Sequence, residues 1–315
     1  MELNQRILSD IVVHMKYARF LPEEQRRENW TEIVDRNAEM HIKKFPKFSR
    51  IIRQVYDLVL DKKVLPSMRS MQFGGKPIEV NPSRMYNCAF LNVTSITDFS
   101  ETMFLLLGGT GVGYSVQRRH VDKIAKIIVP KQGSTQKRYL VGDSIEGWAD
   151  AVKFLFKCYT GVHNWIPIFD FSDIRPKGAR LVTSGGKAPG PTPLRICLEK
   201  LESILKVNHN KQLRPIDVHD IQCHIADAVL AGGIRRAALI CLFDKNDDKM
   251  LNCKSRIKVD EFQVESNANG SLNNPTYKVK ASVDGYVHEL ELTKRGVDNL
   301  EKDMKLDWWA FAQQR

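Results

Sequence analysis

The sequence predicts an α/β protein in which parallel strands alternate with helices. Apolar residues recur at helical spacing over several segments of ten or more residues. Short apolar runs bounded by turn-forming residues lie between those segments, as strands do. Such alternation is typical of parallel β/α units. The chain has 315 residues, of which 43% are hydrophobic, so it can hold one large domain or two smaller ones.

The N-terminal region, residues 1–66, is predicted to be helical. Ile7 and Met15 lie on one apolar face of a first helix. Two further helices are predicted over residues 24–40 and 48–60, each with an apolar face of its own. We therefore expect a helical region ahead of the strands.

One strand–helix–strand unit organises the prediction. Residues 86–91 form a mainly apolar run and are predicted to be a buried strand. Ser95 and Asp98 have the spacing of a capping box, so a helix is expected to begin there and to end at the glycine pair 108–109. A second strand follows over residues 111–116. Because a dinucleotide fingerprint needs a helix after its glycines, this order excludes a Rossmann site.

Residues 117–141 are charged and poor in strand signal. Basic residues surround a Gly-Ser-Thr turn there, which favours a flexible phosphate-binding loop. Helices and strands then alternate again, interrupted by a long turn over residues 172–193. The predicted elements are helices over 145–159, 194–207 and 218–231, a strand over 166–171 and a buried strand over 237–243.

Composition limits the class of protein and its partners. The six cysteines show neither a CxxC pair nor metal-ligand spacing, so we predict free thiols and no metal site. The net charge of +11 suits an anionic partner, but no basic run is interleaved with aromatic residues, so no nucleic-acid groove is expected. The N-terminus lacks a signal-peptide pattern and no apolar run approaches about 20 residues. We expect a cytoplasmic protein without membrane contact.

Five stretches, in one order along the chain, resemble the catalytic subunit of ribonucleotide reductases. The match is closest to the adenosylcobalamin-dependent class that acts on ribonucleoside triphosphates, and it covers residues 10–255. The stretches are Tyr17-Ala18-Arg19-Phe20-Leu21-Pro22-Glu23 with Glu28-Asn29-Trp30, Tyr86-Asn87-Cys88 with Gly109 to Ser115, Asp143 to Trp148, Asp170 to Pro176 with Gly185-Gly186 and Gly190-Pro191, and Ala231 to Ala238.

The resemblance implies a ten-stranded α/β barrel built from two antiparallel halves of five parallel strands. We expect residues 67–254 to form the first half, after the helical cap. Residues 255–306 interrupt the family pattern and are predicted to be a small β-rich insertion, because alternating runs flank Asp284-Gly285 as in a hairpin. Residues 307–315 return to the family pattern, which is truncated there.

The resemblance also implies the chemistry of the site. Cys88 is expected to be one of two thiols that reduce the ribose as its 2′ hydroxyl leaves as water. The resulting disulfide then needs a thioredoxin-type reductant. From composition alone, Cys88 is a small core residue like the other cysteines, and Ser67 is an ordinary turn residue. The expected substrate contacts are Ser67, Asn87, Gly111 and Gly113.

A deoxyribonucleoside triphosphate effector is expected beside the same unit. By resemblance, Asp98 holds the effector's sugar, a basic loop holds its phosphates, and two arginines after a glycine hinge carry its identity to the substrate base. Asp98 is equally well explained as a helix cap, and the arginine pair alone indicates a solvated surface. The expected effector-binding residues are Asp98, Lys131, Lys137, Arg138, Arg235 and Arg236.

One departure from the family concerns the radical. The 315 residues contain no Asn-x-Cys-x-Glu motif, in which the family carries the cysteine that becomes a thiyl radical. We expect the thiol partner of Cys88 and most of the adenosylcobalamin site to lie outside this chain. The prediction is therefore a part of a reductase that works with a second polypeptide. The alternatives are a nucleotide-binding remnant without catalysis and the corresponding piece of an iron-dependent reductase.

Overall fold

A computed structural model of the chain describes residues 3–179, 187–230, 237–253, 257–258, 261–268, 276–283 and 286–306. The chain forms two compact units, an N-terminal unit, Met1–Leu242, and a C-terminal unit, Phe243–Arg315. The predicted domain boundaries at residues 66 and 254 stay predictions.

The N-terminal region is helical, as predicted, apart from one small hairpin. The predicted start of the second helix at residue 24 is wrong, because a two-stranded hairpin occupies residues 20–27 and Asn29 caps the helix in a capping box with Glu32. Ile33 and Val34 are buried in the core of this region. The elements are α1 (Leu3–Lys16), β1 (Phe20–Leu21), β2 (Arg26–Arg27), α2 (Trp30–Lys44) and α3 (Ser49–Leu60).

The rest of the N-terminal unit alternates helices and strands. The helix predicted after the capping box, α6, has the bounds that the caps indicated. The elements are α4 (Met68–Phe73), α5 (Lys76–Val80), β3 (Cys88–Asn92), α6 (Ile96–Leu107), β4 (Gly111–Ser115), α7 (Arg118–Val121), β5 (Thr135–Leu140), α8 (Ile145–Tyr159), β6 (Trp165–Asp170), α9 (Thr192–Val207), α10 (Pro215–Leu230) and β7 (Leu239–Leu242).

Apart from the β1–β2 hairpin, the described strands of this unit pair in parallel, which confirms the α/β prediction. Among the described residues, β3, β4 and β7 form one sheet in that order, and β5 pairs with β6 in another. The prediction that residues 117–141 are poor in strands is wrong for β5, whose side chains are mostly exposed and therefore carry no buried apolar pattern.

The predicted burial of the outer strands of the first sheet is wrong. Residues alternate along β3 and β7, so that Phe90 and Ile240 remain 54% and 65% exposed. The opposite face, which includes Tyr114, packs against helices and is buried. The first sheet therefore has one covered face and one open face.

Helices α6 and α8 pack against each other along their length. Phe99 near the start of α6 stacks on Phe156 near the end of α8, with ring centroids 4.4 Å apart. The end of α6 and the start of α8 line one cavity. The two helices therefore run antiparallel, and their opposite ends define the cavity described below.

The C-terminal unit contains a three-stranded antiparallel sheet. The predicted hairpin is confirmed by the pairing of β10 with β11, in which Val283 is opposite Tyr286. Its apolar face, with Val279 and Leu290, packs on Leu300 of α12, a helix that the sequence patterns did not predict. The elements are α11 (Asp248–Leu251), β8 (Ile257–Lys258), β9 (Glu261–Ala268), β10 (Thr276–Val283), β11 (Tyr286–Thr293), α12 (Lys294–Asp303) and β12 (Lys305–Leu306).

Candidate active site

The open face of the first sheet carries Cys88 at the start of β3. Cys88 lies beside Gly111 of β4 in the parallel register, so no side chain stands next to the thiol on that strand. Of the six cysteines, Cys88 is the exposed one. Burial raises the pKa of Cys158 to about 11 and of Cys197 to about 12, which makes both thiols unreactive. Accessibility therefore distinguishes Cys88.

The two glycines of β4 differ in what they do. A Cβ atom at Gly111 would meet Ala238 at 3.5 Å, an ordinary contact, so this glycine is not required for packing. A Cβ atom at Gly113 would lie 2.8 Å from Phe90 and 3.2 Å from Ile240. Gly113 thus makes room for the apolar side chains of the open face, and its predicted substrate contact stays a prediction.

Asn87, the neighbour of Cys88, is held by a buried arginine. Arg69 donates from Nε to Asn87 Oδ1 at 2.6 Å and from Nη2 to the Gly109 carbonyl oxygen at 2.6 Å. The Thr110 hydroxyl donates to the Tyr86 carbonyl at 3.2 Å. The turn before β4 and the residues before β3 are therefore joined beside the thiol. Sequence patterns gave Arg69 no role.

Ser67 caps a short helix. Its Oγ accepts the Ser70 backbone N–H at 3.1 Å at the start of α4. This is the turn role that the sequence left open, and contact with substrate phosphate stays a prediction.

Asp98 caps α6. Its Oδ2 accepts the backbone N–H groups of Thr94 and Ser95, each at 2.7 Å. Asp98 therefore acts as the helix cap that the sequence also allowed. Within the described residues, Asp98 makes no hydrogen bond or ion pair with the basic residues of the predicted effector loop.

The predicted phosphate-binding residues are exposed and lie mainly on a strand. Lys137 and Arg138 belong to β5, and Lys131 precedes it. Arg138 donates from Nε to Asp170 at 2.8 Å and thereby lowers the pKa of that carboxyl group. Lys137 lies over the Trp165 ring at 5.6 Å. Arg235 and Arg236 lie outside the described residues.

A cavity of about 320 Å³ lies where α6 ends and α8 begins. The end of α10, at Ala228 and Val229, forms another wall. Apolar side chains dominate its lining, among them Phe73 and Trp148. This volume is at the lower end of the range for small-molecule sites.

Arg84 is the buried cation of this cavity. It is 8% exposed, and its guanidinium carbon lies 5.8 Å from the Phe73 ring centroid. Its guanidinium makes no hydrogen bond or ion pair in the part of the chain that the structure describes. Burial lowers the pKa of Arg84, and the charge of Glu146 partly opposes that shift. An unpartnered guanidinium in a cavity can bind an oxygen-rich anion.

The start of α8 supplies further polar groups. Ser144 caps the helix by accepting the Gly147 N–H at 2.9 Å, and first-turn N–H groups of a helix favour anions. Arg175 donates to Asp143 at 2.6 Å. Residues 143–148 and 170–176 both carry the family resemblance, but no sequence pattern indicated that they meet around Arg84.

The described residues show neither a metal-binding cluster nor a membrane-spanning helix. No group of three or more histidine, cysteine, aspartate or glutamate side chains there is arranged to hold a metal ion. None of the described helices combines the length and the apolar character needed to cross a bilayer.

Comparisons with known proteins match the resemblance. No family model matches the chain. An adenosylcobalamin-dependent ribonucleoside-triphosphate reductase of Lactobacillus gasseri is 27% identical over 355 residues, covering 90% of this chain and 47% of the relative. A probable enzyme of the same name from Dictyostelium discoideum is 25% identical, covering 79% of this chain and 37% of the relative.

A solved structure supports the fold. The crystal structure of a B12-dependent (class II) ribonucleotide reductase aligns with a TM-score of 0.66 and 24% identity, over 78% of this chain and 42% of that one. The chain thus spans about half the length of the curated relatives it matches. The resemblance predicted from the sequence is confirmed: the chain is similar, at 27–28% identity over 76–90% of its length, to part of proteins named adenosylcobalamin-dependent ribonucleoside-triphosphate reductases.

Proposed function

We propose that this chain is part of a reductase that converts ribonucleoside triphosphates to 2′-deoxyribonucleotides by thiyl-radical chemistry for DNA synthesis. The observation that carries the proposal is the exposed thiol of Cys88 on the open sheet face, beside Gly111 and next to the braced Asn87. The relatives' names supply the reaction and the triphosphate substrate. The five parallel strands found among the described residues, β3 to β7, belong in this proposal to half of a ten-stranded barrel.

In this proposal Cys88 is a reducing thiol. Cys88 and a second thiol together give up two electrons and two protons as the substrate's 2′ hydroxyl leaves as water, and an S–S bond forms between them. A thioredoxin-type dithiol then exchanges with that disulfide and restores both thiols. The open face lets the thiol approach a ribose directly, which supplies the proximity that the step needs. Ser67 and Asn87 are the proposed polar contacts.

The names of the relatives point to adenosylcobalamin as the radical source. The cavity of about 320 Å³ suits a nucleotide-sized ligand and not a whole corrin cofactor. The described residues therefore do not fit adenosylcobalamin, and we propose that a second polypeptide holds most of its site. That polypeptide would also carry the Asn-x-Cys-x-Glu cysteine.

We further propose that the cavity beside Arg84 binds a deoxyribonucleoside triphosphate effector. An unpartnered buried guanidinium, the start of α8 and Arg175 provide anion contacts, and the apolar walls suit a base or sugar. The end of α10 borders the cavity, and the chain runs from there to Arg235 and Arg236. Asp98 lies at the other end of α6, and Lys131, Lys137 and Arg138 do not line this cavity, so these four residues remain effector contacts that only the family resemblance implies.

The first alternative function is a nucleotide-binding protein without catalysis. Such a protein would bind nucleotide in the same cavity but would form no product. Nucleotide binding alone therefore does not distinguish it from part of a reductase. The second alternative is the matching piece of an iron-dependent reductase, and cofactor dependence of turnover separates that one. The proposed cellular location is the cytoplasm.

Reconstitution tests the proposal. The chain is mixed with the part of the Lactobacillus gasseri relative that this chain does not match, together with adenosylcobalamin, a dithiol and a ribonucleoside triphosphate. Formation of 2′-deoxynucleotide that requires both polypeptides and adenosylcobalamin is the expected result. Nucleotide binding by the chain with no product in any mixture, including mixtures with iron, would favour the remnant.

A further inference from the structure

Arg69 is a buried cation without a carboxylate partner. It is 9% exposed, and its described hydrogen-bond acceptors are the neutral oxygens of Asn87 and Gly109. Its Nη1 is buried and has no hydrogen-bond partner. Its guanidinium carbon lies 6.0 Å from the Phe73 ring centroid, so an aromatic face offers a weak neighbour. A cation in this position is costly unless negative charge forms near it.

The group that can supply negative charge is Cys88. It follows Asn87 directly, and the Arg69 Nε is hydrogen-bonded to the Asn87 side chain. Burial lowers the pKa of Arg69, and the charge of a Cys88 thiolate opposes that shift. The hydrogen bonds to Asn87 and Gly109 fix the guanidinium beside the start of both strands.

We infer that Arg69 is a positioning residue that stabilises negative charge on the sulfur of Cys88 during thiol–disulfide exchange. The inference rests on the proposed function, in which Cys88 must be regenerated after each turnover. A thiolate of the external dithiol attacks the sulfur bonded to Cys88. That S–S bond breaks, its electron pair passes to the Cys88 sulfur, and the new thiolate later takes a proton from water. A thiolate stabilised by a fixed cation leaves faster.

The same charge should speed the attack of Cys88 on a neutral electrophile, because the guanidinium stabilises the thiolate sulfur that attacks. The test is therefore the rate at which iodoacetamide alkylates Cys88 in the 315-residue chain, followed by peptide mass spectrometry. The C–S bond that forms displaces iodide and needs no partner polypeptide. The assay can therefore fail while nucleotide reduction succeeds, and the reverse also holds.

Two substitutions separate charge from geometry. Arg69→Gln keeps an amide donor but removes the charge, and Arg69→Lys keeps the charge but loses the planar fork. We expect Arg69→Gln to slow alkylation about three- to tenfold and Arg69→Lys to retain most of the rate. Arg53→Gln, which removes a surface arginine paired with Glu39, is the matched control and should leave the rate unchanged.

Asn87→Asp tests the inference without removing Arg69, should the Arg69 variants fail to fold. It places a carboxylate on the bonded Nε, neutralises the guanidinium and should slow alkylation as Arg69→Gln does. Unchanged rates in Arg69→Gln or in Asn87→Asp would overturn the inference. Equal losses in Arg69→Gln and Arg69→Lys would also overturn it, because the guanidinium would then act only as a geometric brace.

Discussion

Replacing Arg84 by methionine should weaken nucleotide binding and leave the fold as stable as before or more so. Arg84 is 8% exposed, and its guanidinium has no hydrogen-bond or ion-pair partner within the described residues. In the free protein its charge is largely buried, and only the charge of Glu146 and the Phe73 ring offset that burial. Methionine of similar length should therefore remove a net cost. The free energy of unfolding of Arg84→Met should therefore equal or exceed that of the unaltered chain.

The second part is the affinity. A hydrogen bond from a charged donor contributes about 1.5–3 kcal/mol, which corresponds to an increase in Kd of about 10- to 150-fold when it is lost. No internal bond of Arg84 has to break when a ligand binds, so little of this energy is offset. Isothermal titration with each of the four deoxyribonucleoside triphosphates measures Kd, and urea unfolding measures stability.

Arg175→Met is the matched control. Arg175 already pairs with Asp143 at 2.6 Å, so its removal leaves a carboxylate without that partner. This variant should lose both affinity and stability, whereas Arg84→Met loses affinity alone. The reasoning is refuted if Arg84→Met binds as tightly as the unaltered chain, or if it unfolds at clearly lower urea concentration.

Three further predictions concern stability. Asp98→Ala removes the acceptor of two backbone N–H groups and should lower the free energy of unfolding by about 1–2 kcal/mol. Asp98→Asn should recover most of that free energy. Equal losses for the two variants in urea unfolding would contradict the capping role. Gly113→Ala places a Cβ atom 2.8 Å from Phe90, whose side chain is exposed and can move. We therefore expect the free energy of unfolding to fall by only about 1 kcal/mol in the same assay. A larger loss would mean that the Phe90 side chain is fixed. Burial lowers the pKa of His224 to about 4, so the unfolded chain binds the proton first. Stability should fall by roughly 3 kcal/mol as pH drops from about 6.5 to 4, and in His224→Leu this dependence should disappear from melting curves.

Helix positions could be predicted from the sequence because local signals define them. The bounds of α6 follow from a capping box at one end and glycines at the other. By contrast, β5 carries charged side chains on an exposed two-stranded sheet, so it has no apolar alternation. Burial of β3 was predicted wrongly because an apolar run indicates a strand without indicating whether its second face is covered.

The candidate site was harder to predict than the fold. Cys88 was distinguished only by the family resemblance, since its exposure depends on the sheet. Arg69 bonds residues 18 and 40 positions away, and a lone arginine in a sequence usually indicates a surface. Among the described residues, the cavity around Arg84 is lined by parts of five helices, α4, α5, α6, α8 and α10, and by the segments that connect them. Contacts between residues so far apart in the chain depend on tertiary packing. The periodicity of apolar residues along the sequence does not specify that packing.

In the proposed reaction Cys88 supplies reducing equivalents to the ribose. The most direct measurement is the number of deoxynucleotides formed per chain in the reconstituted mixture with excess dithiol. The chain and Cys253→Ser, a control thiol in the C-terminal unit, should both turn over repeatedly. Cys88→Ser should stop without sustained turnover, because no disulfide forms for the dithiol to reduce. Sustained dithiol-dependent turnover by Cys88→Ser would contradict the account.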